Sequence, residues 1–171
     1  MGQPSGMYRG SGSGASMIDA ETRASIEAFR KKMEEKSRQV HTSLGKAILE
    51  SCRNVENTAK LGMTNTKTDP MKAYPRQHGK KVHYASAEGE YPAVDMGTLR
   101  RSITHSVDIE DSETVGRVGT NLLYGKWLEE GTSKMAPRPW LSPSLNKNKD
   151  KIRQLIGNAL KGTSIEQGTS E

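Results

Sequence analysis

The stretch "YGKWLEEGTSKMAPRPWLSPSL", Tyr124 to Leu145, has the most unusual composition in the chain, because it contains both tryptophans and three prolines. Pro137 and Pro139 flank Arg138, so neither neighbour of the arginine donates a backbone hydrogen bond and the backbone is held extended. We expect Trp140 to anchor this segment to the core. We expect Arg138 to project outward into a subunit interface, since Trp and Arg are enriched at interfaces.

The first half of this stretch predicts a short helix that ends at Gly131. Its expected buried side carries four residues: Leu123, Tyr124, Trp127 and Leu128. Trp127 is thus interpreted as an ordinary core residue. The hydroxyl of Thr132 is suited to cap the bend that follows.

The neighbouring segments predict a small α+β core over residues 98–161. "SITHSVDIE" alternates apolar and polar residues, which is typical of a half-buried strand, and "TVGRVGT" predicts a second strand that completes a hairpin. Ser142 followed by Pro143 indicates the start of a closing helix, with an apolar stripe that includes Leu145 and Ile152. Gly162 should end this helix, and residues 162–171 form a polar tail.

A long amphipathic helix is predicted over residues 17–62, where apolar residues recur at steps of three, four or seven. Ser16 and Asp19 suit a capping box at its start, and Gly62 suits a stop. Such a helix spans roughly 65 Å, about twice the diameter of a small domain. Part of its stripe, including Phe29 and Met33, should therefore need a second subunit to cover it. We interpret the charged run "RKKMEEKSR" as a solvated face.

Residues 63–97 contain three prolines and many turn-forming residues, so we expect an extended loop that contacts a subunit or faces a channel. Four basic residues in this loop lie near tyrosines: Lys72, Arg76, Lys80 and Lys81. Basic and aromatic residues together can bind nucleic acid, although an exposed loop has the same composition. Residues 1–16 are rich in Gly and Ser and predict an arm that is flexible or bound to a partner.

The composition of the 171 residues limits what one chain can bury. Aromatic residues make up 5% of the sequence and the mean hydropathy is -0.77, so we expect order to depend on neighbouring subunits. The net charge of +6 fits contact with nucleic acid or an acidic protein surface, but most mildly basic proteins keep their charges solvated, and we prefer that interpretation. With Cys52 as the single cysteine and no apolar run long enough to span a bilayer, we expect a soluble intracellular protein that does not contact membranes.

Motifs for catalysis or cofactor binding are weak. The four histidines, His41, His78, His83 and His105, lack the spacing of a zinc site. No serine lies in a nucleophile-elbow context, and the Gly-Ser run lacks the Lys of a phosphate-binding loop. We therefore predict no enzyme activity, no metal and no cofactor, and we rank a small nuclease lowest among the alternatives.

Two stretches together resemble the neck, or tail-completion, proteins of long-tailed bacteriophages. The first is "YPAVDMGTLRRSI", in which the family pattern matches Pro92, Gly97, Leu99, Arg100, Ser102 and Ile103. In the second the pattern matches Tyr124, Glu129, Gly131, Thr132, Arg138, Pro139, Trp140, Leu141 and Pro143. The resemblance covers about residues 91–160. Glu130 departs from it, since the family has an apolar residue there, and the Gly-rich start has no counterpart.

The resemblance implies an α+β fold in which a long N-terminal helix and a C-terminal helix pack on a small antiparallel sheet. It also implies assembly as an oligomeric ring, sixfold or twelvefold, around the DNA exit channel at the head–tail junction of the virion. The implied partners are copies of the chain, a head connector or stopper protein, a tail terminator or tail tube protein, and phage DNA. The family has no known catalytic residues.

We expect the subunit and partner contacts to involve eight residues: Arg138, Pro139, Trp140, Glu129, Thr132, Arg100, Phe29 and Met33. Two alternative functions stay open at this point. One is a tail terminator-type ring protein, and the other is a basic nucleic-acid-binding protein that uses the loop around Lys72 and Lys81.

Overall fold

The computed structural model describes residues 19–75, 82–110 and 113–161. It confirms an α+β fold with a long N-terminal helix, a C-terminal helix and small antiparallel sheets. The elements in chain order are α1 (Ala20–Asn65), β1 (Thr68–Pro75), β2 (Val82–Ser86), α2 (Thr98–Ser102), β3 (Thr104–Ile109), β4 (Thr114–Gly119), α3 (Leu123–Glu130) and α4 (Leu141–Lys161). The predicted arm, the predicted tail and the basic residues Arg76, Lys80 and Lys81 lie outside the described residues.

Helix α1 begins and ends three residues later than the sequence predicts. Asp19 is its cap, because the Asp19 carboxylate accepts a hydrogen bond of 2.7 Å from the backbone N–H of Thr22. Ser16 lies outside the described residues. Gly62 does not stop the helix, which continues to Asn65. A Cβ atom at Gly62 would lie 2.4–2.7 Å from the Tyr91 ring, so this glycine allows close packing.

The chain divides into two compact units, residues 1–36 and 37–171, and the boundary falls within α1. In the first unit, every described side chain from Asp19 to Glu35 is exposed. In the second unit, α1 buries one side along its length; the buried residues are Gly45, Ala47, Ser51, Cys52, Val55, Ala59 and Met63. The two parts of one helix thus have different surroundings.

The hairpin predicted after residue 102 is confirmed. β3 and β4 pair antiparallel from Thr104 opposite Gly119 to Ile109 opposite Thr114. This hairpin packs on α1, because a Cβ atom at Gly116 would lie 2.5 Å from the Cys52 sulfur. Ile103, which is 1% exposed, precedes the strand and caps α2, a helix that the sequence did not predict.

The prediction of an extended loop over residues 63–97 is wrong for two parts of it, which form the antiparallel hairpin of β1 and β2. The pairing shifts between Thr68 and Ala73, and β1 includes Pro70 and Pro75. Prolines cannot donate to a strand ladder and are confined to edges and irregular positions. They mask the strand in the sequence, and a two-stranded sheet tolerates them because each strand keeps an unpaired edge.

The core lies where the second part of α1, α2, α3 and the start of α4 meet. Its buried cluster consists of Ala59, Met63, Tyr91, Leu99, Ile103 and Trp140. Helix α4 contributes two buried polar residues, Ser144 and Asn148, instead of its predicted apolar stripe. Asn148 donates a 2.8 Å hydrogen bond to the Thr58 hydroxyl of α1, which satisfies its amide inside the protein. None of the helices in the described ranges is long and apolar enough to cross a membrane.

Candidate interface at the corner between α3 and α4

The turn between α3 and α4 is fixed by backbone hydrogen bonds. Gly131 ends α3 with φ 78°, a conformation that favours glycine. A side chain there would also clash, because a Cβ atom would lie 2.9 Å from the backbone oxygen of Met135. Thr132 and Met135 then exchange backbone hydrogen bonds, and the N–H of Arg138 donates to the oxygen of Leu128 at 2.7 Å. The bend at residues 131–138 is therefore rigid.

Glu129 caps the N-terminus of α4 from the preceding helix. Its carboxylate accepts backbone N–H bonds from Trp140 (2.7 Å), Leu141 (2.8 Å) and Ser142 (2.8 Å), and it also accepts the Ser142 hydroxyl at 2.6 Å. These are N–H groups that a helix start leaves unpaired. The sequence predicted Ser142 as the cap; that is wrong, because α4 already includes Leu141 and the acceptor is supplied by α3.

The hydrogen bonds to Glu129 control its acidity. Partial burial raises the pKa of the carboxyl, but the bonds from Leu141, Ser142 and Trp140 outweigh this and leave the pKa below its ordinary value. The charged form is thus favoured in the folded protein. One carboxylate links the end of α3 to the start of α4.

Trp140 anchors the corner to the core, as predicted. Its side chain is 3% exposed, and its indole N–H donates to the backbone oxygen of Gly125 at 2.9 Å. A Cβ atom at Gly125 would lie 2.5 Å from a Thr120 side-chain carbon and 3.2 Å from Leu99. The absence of a side chain at Gly125 therefore lets α3 lie close to Leu99. Leu99 belongs to the first of the two stretches that resemble neck proteins, which together are called the neck-like motif.

The predicted outward orientation of Arg138 is wrong. The residue is 9% exposed, and its Nε–H donates to the backbone oxygen of Ser86 in β2 at 3.1 Å. The oxygen of Pro137 accepts a 3.0 Å bond from the N–H of Gly89 nearby. The extended backbone directs the guanidinium inward, where it ties the corner to the β2 segment. The two prolines predict a stiff, extended backbone around Arg138. They do not predict that the Arg138 side chain points inward.

An apolar groove that the sequence did not reveal lies beside α3. The groove has a volume of about 420 Å³ and lies between residues 92–100 and α3, with Met63 at its base. Its rim exposes Met96 at 70%, Val94 at 39% and Tyr124 at 37%. Gly97, with φ 75°, turns the chain between this rim and α2.

Trp127 is 48% exposed on α3, so its prediction as a core residue is wrong. Gly125 is the buried residue of α3, and a position two residues later lies about 200° around a helix. Trp127 therefore faces away from the side that packs on the core. An eight-residue apolar helix does not reveal its buried side from spacing alone.

The other predicted contact residues lie at different places in the fold. Arg100 is exposed and donates a 3.2 Å hydrogen bond to the Thr64 hydroxyl, and Thr132 is exposed on the turn. Pro139 is half-buried. Phe29 and Met33 are 64% and 50% exposed on the first part of α1. Lys72 lies in β1, away from these residues in sequence.

Three titratable side chains outside the corner form a small structural cluster. Glu56 of α1 pairs with His105 of β3 and with Lys60 one turn further along α1. Burial raises the pKa of Glu56, but its bonds to Lys60 and His105 have the larger combined effect and lower the pKa. Within the described ranges, no group of three or more His, Cys, Asp or Glu side chains is placed to hold a metal ion.

Comparisons with protein-family models, with curated proteins and with solved structures found no match to this chain.

Proposed function

We propose that the protein is a structural neck protein of a long-tailed phage, which forms a ring between the head connector and the tail around the DNA exit channel. What supports this is the convergence of the two halves of the neck-like motif in one corner. Leu99 and Ile103 from the first half share a buried cluster with Trp140 from the second. The two halves of the motif therefore pack against each other in one core instead of lying in unrelated parts of the fold.

The corner has the properties of a docking surface. Its interior is held by Glu129, Trp140 and Arg138, which bond to backbone groups. Beside the corner, α3 and the groove next to it expose apolar side chains, including Trp127 and Met96. A rigid backbone beneath exposed Met and Trp is typical of protein interfaces. Apolar surface of this kind is stabilised when a neighbouring subunit covers it.

The first part of α1 supplies a second surface for assembly. Ile26, Phe29 and Met33 are exposed on this helix. A helix with an uncovered apolar stripe gains stability when another chain binds it. In the proposed neck, the corner would contact a neighbouring subunit, and this stripe would contact another protein chain.

Two experiments test the proposal. Gold-labelled antibodies against the chain, imaged on purified virions by electron microscopy, should mark the head–tail junction; label confined to the capsid or to free tails would contradict a neck role. Light scattering of the purified protein should give a closed oligomer that Met96→Ser with Trp127→Ser dissociates. The matched pair Leu61→Ser with Met71→Ser, which is also exposed but lies outside the corner, should leave the oligomer intact.

A further inference from the structure

The first part of α1 carries a charge pattern that defines the kind of partner it fits. Its apolar stripe consists of Ile26, Phe29 and Met33, at steps of three and four, so these side chains lie on one side of the helix. They are between 48% and 64% exposed. The stripe and the residues that border it are therefore accessible to a binding partner.

The charges that border the stripe differ in sign from most of those on the back of the helix. At about 100° per residue, the charged residues within roughly 90° of the stripe centre are all basic. They are Arg23, Arg30, Lys32 and Lys36. The acidic residues lie further round, on the back of the helix: Glu21, Glu27, Glu34 and Glu35. The run "RKKMEEKSR" thus separates into a basic border beside the stripe and a back of mixed charge, which includes Lys31 and Arg38.

A second copy of the same helix is a poor partner for this stripe. In either orientation, a homotypic pair would bring border residues such as Arg30 and Lys32 next to like charges, which destabilises helix pairing. The apolar groove on the second unit, lined by Ile48, Leu145 and Ile152, is no better. The side chains that follow its edge on α4, Lys149 and Arg153, are basic as well.

An anionic membrane surface also fits poorly. Membrane-surface helices combine a broad apolar face with a polar face rich in Lys and Arg. Here the apolar face has three large residues, and the back of the helix carries four Glu residues that anionic lipids would repel. The stripe suits a narrow apolar groove on a protein, with acidic residues at the edges of that groove.

We propose that residues 20–36 of α1 form a docking helix for a different protein, which binds the stripe in an apolar groove edged by Asp and Glu. The groove covers Ile26, Phe29 and Met33, and its carboxylates pair with the basic border. The preference follows from the charges on this helix, so it holds whether or not the protein occupies a phage neck.

Synthetic heptad-repeat peptides provide the test. One peptide carries Leu at its apolar positions and Glu at the flanking positions, and the second is identical except for Lys in place of Glu. Binding of each labelled peptide to the full-length protein is measured by fluorescence anisotropy at low and high salt. We expect the Glu-edged peptide to bind about tenfold more tightly at low salt, with the difference shrinking at high salt.

Matched double variants separate the border from net charge. Arg30→Glu with Lys32→Glu should reverse the peptide preference. Lys31→Glu with Arg38→Glu makes the same change of charge on the back of the helix and should leave the preference in place. Phe29→Ser with Met33→Ser should abolish binding of both peptides. Circular dichroism of each variant checks that the helix still forms.

Several outcomes would overturn the proposal. Failure to bind either peptide, equal binding of both, or equal loss with the back-of-helix variant would each remove its basis. So would tighter binding to phosphatidylserine-containing vesicles than to the Glu-edged peptide. Self-association that Phe29→Ser with Met33→Ser breaks, seen by sedimentation equilibrium, would assign the stripe to a second copy instead.

Discussion

The two parts of α1 have similar apolar spacing and opposite exposure. In the first part, Ile26, Phe29 and Met33 are 48%, 64% and 50% exposed. In the second part, Val55, Ala59 and Met63 are 3%, 0% and 2% exposed. Helical periodicity thus identifies the apolar side of a helix. It does not show whether that side is buried by residues of the same chain or by another chain.

The cover of the second part comes from the corner between α3 and α4 and from the β3–β4 hairpin. Trp140 and Leu99 join Ala59 and Met63 in one buried cluster. The described residues of the first unit have no such cover. We therefore expect substitutions of buried residues in the second part and in its corner to change the stability of the isolated chain, and substitutions in the first part to change binding instead.

The two tryptophans give the largest expected contrast. Trp140→Ala removes a buried indole and its bond to Gly125, so it should lower the free energy of unfolding by about 3–5 kcal/mol. Trp127→Ala alters a side chain that is 48% exposed and should change the free energy of unfolding by less than about 1 kcal/mol. Urea unfolding of the monomeric chain measures both. Similar losses for the two variants would mean that the packing of α3 is different.

Two helical glycines sharpen the comparison. Gly62→Ala places a methyl group within 2.4–2.7 Å of the Tyr91 ring and should cost about 1–3 kcal/mol of stability. At Gly157 of α4 no atom lies within 4 Å of an added Cβ, so Gly157→Ala should stabilise the protein by about 0.5–1 kcal/mol. The midpoint temperature of thermal unfolding should fall for Gly62→Ala and rise for Gly157→Ala. A stabilising Gly62→Ala would show that Gly62 does not pack closely against the Tyr91 ring.

Glu129 gives a pH-dependent effect of intermediate size. Its pKa is lowered in the folded protein, so its contribution is fully present above the pKa of the unfolded chain and is lost as the pH falls through the lower folded value. Glu129→Gln should cost about 1–2 kcal/mol at neutral pH, because a neutral amide accepts the α4 N–H groups less well. The difference from wild type should shrink below about pH 4, measured by urea unfolding. A constant difference across that range would exclude the carboxylate as the helix cap.

Phe29→Ser has the smallest expected effect on the isolated chain, below about 0.5 kcal/mol, because the side chain is 64% exposed. Val55→Ser, in the covered part of the same helix, should cost several-fold more, because Val55 is 3% exposed. Phe29→Ser should instead reduce the incorporation of the protein into phage particles, while its free energy of unfolding stays nearly unchanged. A large loss of stability for Phe29→Ser would mean that the chain covers its own stripe.

Long, regular patterns in the sequence predicted the fold well, and short ones did not. The 46-residue α1 and the hairpin of β3 and β4 follow from periodicity that repeats many times or alternates cleanly. The eight-residue α3 has too few turns for its apolar spacing to identify the buried side, so the spacing places Trp127 on the wrong side. β1 and β2 were missed because prolines and an irregular register hide the alternation.

The site shows the same limit at the level of single residues. Trp140 as an anchor could be predicted, since a large aromatic residue between extended segments needs burial. The inward direction of Arg138 could not, because it depends on the position of the Ser86 oxygen, which is 52 residues away in the chain. The capping role of Glu129 likewise depends on how α3 meets α4. Such contacts are set by tertiary structure, which local pattern does not encode.

Amide hydrogen exchange along α1 tests the central claim most directly, when it is measured by mass spectrometry on the dilute purified protein and on intact particles. The account predicts that residues 45–63 exchange slowly in both samples, and that residues 20–36 exchange rapidly in the dilute protein and slowly in particles. Slow exchange of residues 20–36 in the dilute monomer would contradict it. So would rapid exchange of those residues in the assembled particle.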